Sequence, residues 1–586
     1  MSTATNPADE EGSALGGGRK GFRYWAPAVV AASSMFLGVL DSSMMNVAVP
    51  AIARDLDTSV SALQGAIAVY SMVMAALIIP GGSLRAAIDT KRLLVATLAV
   101  YSVGTLLAGF SWSMAVLFLG WSVIEGMAAA LLLPITYSLI VENYRGSDRA
   151  RAFGAVGGVT AVGVAVGPMI GGTLTTYASW RWGLIGEFFV VLGIVALTLR
   201  YLESNPSDGR IRLDVGGTVL SILGIVGVIG GSLLAGHYGW VRPLRPLVVE
   251  GALVQPLGLS PAIWCIGLGA ALLVLFVQWE LRQERRDRPT LVPPTVLRNR
   301  TFAAGISTFA SESLFLSGFM FTVPVFLQSA LGLSAFDSGV ALLPFSVATL
   351  VVAVVSTGWR RYAAQKRIVQ AGLVLIGAGM LLLLGQTGLD QTVSGMILPM
   401  SVIGIGLGLF TGQLVDLTMS AVPESYSDVS SGVINSLSQL GYAFGTAVVG
   451  SIQLAAFYSD VVAGATLLSN GTAVTGEERR QLAVKLEDAV ETTTQAQQQA
   501  FVNGLSPDVQ RQLTEIIREA MVSAQRSVFV VLVLFVLVTL LASSFLTLSK
   551  PRRGRTREPS AAPRDAEPES ASDGGESGSR SGSGGE

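Results

Sequence analysis

An all-α membrane protein with fourteen transmembrane helices is the fold class this sequence predicts, and three observations predict it. Hydrophobic residues fill 51% of the 586 positions and charged residues 13%, roughly half the charged share of an ordinary soluble domain. Apolar runs of about 20 residues, long enough to cross a bilayer as a helix, recur from end to end. Basic residues gather in alternate loops: 29 of the 39 Lys and Arg fall on the amino-terminal side of the predicted spans. These features exclude a soluble enzyme. A net charge of -1 without a basic stripe outside the short loops excludes nucleic acid as a partner. A single cysteine, Cys265, leaves no disulfide framework, and a single histidine, His237, leaves no histidine-based metal cluster, so no metal site is expected.

The first 24 residues are polar and rich in Gly and Ser, and they read as a disordered segment. The apolar run that follows is too long for a signal-peptide core and contains Asp41, so it reads as a retained span. Spans are predicted over 25–50, 61–84, 93–111, 113–140, 153–178, 180–202, 215–236, 260–280, 303–330, 336–358, 368–387, 392–420, 431–457 and 526–548. An even number places both termini on one side, and the basic bias makes that side cytoplasmic. The sharpest markers are Arg145, Arg149 and Arg151, then Arg285, Arg286 and Arg288, then Lys550, Arg552 and Arg553. Residues 459–525 form an external segment with a capping box at Thr475 and Glu478 and a helix start at Ser506 and Pro507. Two external helices are expected there, the second running into the final span. The tail 549–586, rich in Ser, Gly and Glu, lacks the apolar content to fold.

An internal repeat divides the spans. The loop after the second span carries Gly82, Arg85, Ala86, Ala87, Lys91 and Arg92, and the loop after the tenth carries Gly358, Arg360, Ala363, Ala364, Lys366 and Arg367. Gly163 and Gly167 stand four apart in the fifth span, as Gly441 and Gly445 do in the thirteenth. The pattern predicts a six-helix half over 25–202, two inserted helices over 215–280, and a second half over 303–548.

The motifs then resemble a known family. The first span holds Leu40, Asp41, Asn46, Val47, Ala48, Val49 and Pro50; the fifth holds Gly163, Gly167, Pro168, Gly171 and Gly172; Trp180, Arg181 and Trp182 open the sixth. Arg298, Asn299, Arg300 and Phe302 precede the ninth, Leu342, Leu343 and Pro344 lie in the tenth, and Ser431, Gly432, Asn435 and Gln439 mark the thirteenth. In this order they are similar to the fourteen-helix drug:proton antiporter family of the major facilitator superfamily, over about residues 25–550. The resemblance implies the major facilitator fold and export of compounds with a proton gradient as energy source and no cofactor. It implies a gating role for the loop with Arg85, Lys91 and Arg92. Four positions depart from the family pattern: the loop acid falls on Ala86, the second loop glycine on Asp89, the fourth-span arginine on Ser122, and the thirteenth-span arginine on Ser438.

The chemistry rests on acids. Asp41, Glu125, Glu187, Glu312 and Asp416 fall inside predicted spans, with no Lys or Arg at comparable depth. Each ionised acid near the bilayer midplane costs roughly 3 kcal/mol, so a proton or a cation has to neutralise them. Competition between the two at one carboxylate would be a basis for exchange. Asp41 is central in its helix; Glu125 stands one turn from the missing arginine. Glu312 has Phe315 and Phe319 at helical spacings, which suits a lipophilic cation or an ordinary aromatic packing stripe. Glu187 and Asp416 lie nearer span ends, where snorkelling to the interface is the commoner explanation. The glycines of the fifth span read as a close-packing surface.

The expected function is a monomeric plasma-membrane exporter of cationic amphiphilic small molecules, working within the lipid bilayer by exchange for protons. Export of an endogenous metabolite or lipid, and a receptor or scaffold that no longer transports, stay open as alternatives. No nucleophile–base or metal constellation supports an enzyme.

Overall fold

The computed structural model describes residues 21–204, 214–245, 248–249, 252–253, 256–356, 358–359, 362–423, 426–470, 474, 476–493 and 495–546. The helices are α1 (Phe22–Asp55), α2 (Val60–Ala87), α3 (Thr90–Gly109), α4 (Met114–Asn143), α5 (Gly146–Tyr177), α6 (Arg181–Tyr201), α7 (Val215–Tyr238), α8 (Pro261–Glu284), α9 (Arg300–Ser329), α10 (Ala335–Ser356), α11 (Gln365–Gln386), α12 (Ile397–Met419), α13 (Ser427–Asn470), α14 (Gly476–Thr492), α15 (Gln495–Asn503) and α16 (Pro507–Ser543). Fourteen of them are long and apolar enough to cross a membrane, and they match the fourteen expected spans. Without water to bond the main chain, a lipid-embedded segment has to satisfy its own N–H and C=O groups, which a helix does. Short polar side chains close several amino-terminal ends: Ser59, Asp89, Asp214, Ser260 and Asn299 each accept a bond from a backbone N–H of the first turn.

Three details differ from the sequence expectation. Helix α13 runs on to Asn470, well past 457, whereas α16 starts at Pro507 and continues unbroken into the final span as expected. A two-residue antiparallel pairing, Val248–Val249 with Ala252–Leu253, sits between α7 and α8. A third external helix, α15, lies between the two expected ones. Residues 1–20, the tail from 547, Thr475, Arg360 and Arg361 lie outside the described residues, as does the side chain of Arg85.

Among the described residues the helices form two large apolar cores and two small clusters. One core gathers Leu37, Ile52, Tyr101, Trp121, Ile140 and Leu184. The other gathers Phe302, Phe319, Phe345, Phe410 and Phe529. Their internal packing repeats. Gly163, Gly167 and Gly171 bring α5 against α1, where an added Cβ at Gly167 would collide with Ser43 and one at Gly171 with the Met44 main chain. Gly441 and Gly445 bring α13 against Ala310, Leu314 and Ser317 of α9 in the same way. Lys91 Nζ donates to the carbonyls of Leu202 (2.7 Å) and Leu199 (3.3 Å) at the end of α6. Lys366 Nζ does the same to Ser544 (2.6 Å) and Leu546 (2.8 Å) at the end of α16. In each half the Lys that closes the basic loop thus caps the half's last helix, a cation meeting a negative helix end.

The inserted helices α7 and α8 pack on each other through Gly224, Gly227, Gly231 and Gly269. The halves meet through α2 with α13 and α5 with α10. Gln64 Nε2 donates to the Thr446 and Ala447 carbonyls, each at 3.0 Å, and Ser436 Oγ donates to the Ala75 carbonyl at 2.5 Å. Gly172 meets the Ala335 carbonyl, and the Pro168 carbonyl meets Gly339. At the end of the bundle opposite the start of α1, α14 is tied across the halves. Arg245 binds Glu487 and Asp488, Ser61 donates to Glu491, and Arg479 binds Asp460. Burial pushes the Glu487 carboxyl above the usual carboxylate range, while Arg245 beside it pulls the other way.

Gly167→Ala is expected to part α1 from α5 at a cost of about 1–3 kcal/mol, read as a lowered melting midpoint of the detergent-purified protein. Gly186→Ala, where a Cβ meets nothing within 4 Å, is expected to leave the midpoint unchanged.

Candidate functional site

The fourth span carries the local irregularity that builds the site. Residues Phe118–Glu125 wind as a π-helix, a form that recurs at functional positions. Gly104 and Gly120 let α3 and α4 touch there: a Cβ on Gly104 would lie 2.8 Å from the Gly120 carbonyl and from the Glu125 N–H. Trp121 and Glu125, four residues apart on this segment, both reach into the centre of the first half.

Three of the five acids meet there. Asp41 from α1, Glu125 from α4 and Glu187 from α6 are 0%, 0% and 2% exposed. One oxygen of each lies within 4.8 Å of the others. That spacing suits shared protons or a single cation. Trp121 Nε1 donates to both oxygens of Asp41, at 2.9 and 3.0 Å. Thr105 Oγ1 lies 3.0 Å from Glu125 Oε2, and the Tyr101 hydroxyl lies 3.5 Å from Glu187 Oε2. The second oxygens of Glu125 and Glu187 have no hydrogen-bond partner. The Tyr70 ring stacks on Trp121 at 5.0 Å between centroids. Among the described residues no Lys, Arg or His pairs with any of the three acids.

Glu187 is therefore no interfacial acid. It stands six residues into α6, about 9 Å along the helix at 1.5 Å per residue, and it points inward. The sequence spacing along one helix gave only depth; the direction was set by packing α6 on α3. Asp416 is a different case: half-buried near the end of α12, it accepts from Gln365 Nε2 at 2.6 Å and joins α12 to the start of α11.

Glu312 stands apart in the second half, 6% exposed, with Ser313 Oγ 3.4 Å from its carboxylate. Phe315 and Phe319 stack on each other at 5.9 Å, and Phe319 packs on Phe345 at 5.6 Å, inside the second core. Lys91 acts as the helix cap described above, and the Arg92 side chain is exposed.

Sequence reasoning missed the neutral partners Trp121, Tyr101, Thr105 and Tyr70, and it missed Glu280 at the last position of the eighth predicted span. Glu280 is 2% exposed and accepts from the Val292 N–H at 3.3 Å. Beside it Asp214 accepts from Trp279 Nε1 at 2.9 and 3.0 Å, the same indole–carboxylate pairing as at Asp41. The signal available for Trp121 was its place one turn before Glu125.

Two cavities lie between the halves. The larger, about 1070 Å³, lies towards α14 and is lined by Gln64, Phe118, Phe321, Gln453, Tyr458 and Glu487 among others. The smaller, about 240 Å³, lies at the opposite end and is lined by Ile79, Tyr137, Thr290, Leu291 and Asn435 among others. None of the five acids lines either one. A cargo held in either of these two cavities would thus not touch the five acids.

Two pseudo-equivalent helical halves, cavities at both ends of their junction and buried acids in the bundle define a membrane transporter rather than an enzyme. The chain belongs to the Major Facilitator Superfamily, whose family model matches residues 31–446. It is 28% identical over 442 residues to the "Probable actinorhodin transporter" of Streptomyces coelicolor, covering 73% of this chain and 72% of that one. It is 26% identical over 490 residues to the "Multidrug efflux pump LfrA" of Mycolicibacterium smegmatis, covering 83% and 92%. Among solved structures, a bacterial homolog of the human lysosomal transporter Spinster matches with a TM-score of 0.53 at 15% identity, covering 90% of this chain and 98% of that one. This last likeness concerns the fold alone.

Trp121→Phe takes from Asp41 the single N–H that both its oxygens accept, while keeping an aromatic ring. It is expected to cost about 1.5–3 kcal/mol, the range for a hydrogen bond to a charged group, measured as a fall in the thermal midpoint of the purified protein.

Proposed function

We propose that this protein exports lipophilic, cationic compounds from the cytoplasm across the plasma membrane in exchange for protons, working as a monomer with both termini cytoplasmic. The observation that carries the reading is the trio Asp41, Glu125 and Glu187, sealed in the first half with neutral partners only. Buried acids in a membrane bundle mark proton relays or ion sites. Relatives named as exporters of drugs and antibiotics support the cargo class. The cytoplasmic placement of the termini rests on the basic bias of their side.

Because the acids lie outside both cavities, coupling runs through helices rather than through direct contact. Asp41 on α1 and Trp121 on α4 belong to helices that also border the larger cavity, through Pro50, Ala53 and Phe118. A change of charge at the trio would alter how α1 and α4 pack, and with it the cavity wall.

The same separation favours a second reading, export of a neutral or anionic metabolite that never touches an acid. Resistance profiles discriminate the two. Cells overexpressing the chain are expected to survive at least several-fold higher concentrations of lipophilic cations such as ethidium, with the gain lost in Asp41→Asn. In everted vesicles ethidium is expected to move protons. If vesicles show no proton movement and Asp41→Asn leaves resistance intact, proton-coupled drug export is wrong.

A further inference from the structure

Hydrogen-bond donors are unevenly shared among the three acids of the trio. An indole N–H only donates, and Trp121 offers it to both oxygens of Asp41 at 2.9 and 3.0 Å. Both oxygens therefore accept, as those of a carboxylate do. Thr105 is placed differently. Its Oγ1 lies 2.9 Å from the main-chain carbonyl of Tyr101, which can only accept, and 3.0 Å from Glu125 Oε2. A hydroxyl has one proton to give. With that proton on the Tyr101 carbonyl, the contact to Glu125 is a hydrogen bond only when Glu125 is the donor.

The rest of the site has the same shortage of donors. Glu187 Oε2 meets a single phenol, Tyr101, at 3.5 Å. The Oε1 atoms of Glu125 and Glu187 are buried with no partner at all. The groups facing the trio come from every element around it: Tyr70 of α2, Tyr101 and Thr105 of α3, Trp121 of α4, and the acids themselves on α1, α4 and α6. None is a base. Tyr70 is 3% exposed, and its hydroxyl faces Asp41. Three like charges within 4.8 Å of one another in this setting cannot all persist.

We propose that Glu125 and Glu187 hold this protein's exchangeable protons and that Asp41 is a standing anion fixed by Trp121. The first-span acid then positions and attracts protons, and the two glutamates carry them. A glutamate standing near the place of the missing fourth-span arginine, at Ser122, thus has a role of its own. This assignment deepens the export reading by naming which groups bind the coupling ion.

The test is infrared difference spectroscopy of the full-length protein in lipid, recorded at neutral pH before and after exchange into heavy water, which shifts the carbonyl band of a protonated carboxyl group. Glu125→Gln and Glu187→Gln are each expected to remove one such band, and Asp41→Asn to remove none. Glutamine keeps the outline of glutamate, and elution and melting are compared with the wild type. Should a glutamine variant fail to fold, Glu→Asp at that position is expected to move the band in frequency. An Asp41→Asn spectrum that lacks a carboxyl band, a glutamine variant that keeps every wild-type band, or an aspartate variant that leaves the band unmoved overturns the assignment. The measurement needs no cargo. Absence of proton movement in everted vesicles, with resistance intact in Asp41→Asn, would sink the proton-coupled export reading, whereas the bands alone judge where the protons sit.

Discussion

Lipid offers no hydrogen bonds, and most of this structure follows from that one constraint. Main-chain groups close on themselves in helices, which is why fourteen apolar runs become fourteen spanning helices. Side chains obey the same rule with fewer options. Serines and threonines along the spans turn back to carbonyls one turn earlier, as Ser34, Thr105, Thr322 and Thr446 do. Buried acids recruit indole or hydroxyl donors from neighbouring helices, because a charged partner would need its own desolvation. The Asp41–Trp121 and Asp214–Trp279 pairs are two solutions of that kind.

Since apolar helices gain little from hiding from lipid, close approach has to hold them together. The glycines of α5 and α13 supply it at corresponding places in the two halves, against α1 and α9. The lysine caps on α6 and α16 repeat as well. These repeats mean that the halves share an internal design. Their chemistry differs: the trio sits in the first half alone, while the second half has Glu312 beside a packed phenylalanine stack. Any coupling built on the trio is asymmetric.

The place of the acids also shapes the mechanism. The trio lies inside a half, and none of its acids lines either cavity between the halves. The π-turn of α4 carries the trio member Glu125 and the indole donor Trp121, and Phe118 of the same turn reaches the larger cavity wall. That one segment thus connects the buried acids to the space between the halves.

By itself the sequence determined the number of spans, the two inserted helices, the helix starts at Ser506 and Pro507, and the acidic sign of the buried charge. Each of these is written in local composition or in spacing along one helix. The duplicated loop was legible for the same reason, although the purpose of Lys91 and Lys366 as caps on a distant helix was not. Which acids meet, and with what, was decided only by tertiary structure. Glu187 looked interfacial because depth along a helix is readable and the direction of a side chain is not. Phe315 and Phe319 followed Glu312 at helical spacing, yet the rings turn into the core on Phe345. Trp121, Tyr101 and Thr105 are ordinary apolar-helix residues until α1, α3, α4 and α6 pack together. A buried polar site is a property of several helices at once, and the pairing of helices is set by shape and close contact that no single stretch of sequence records.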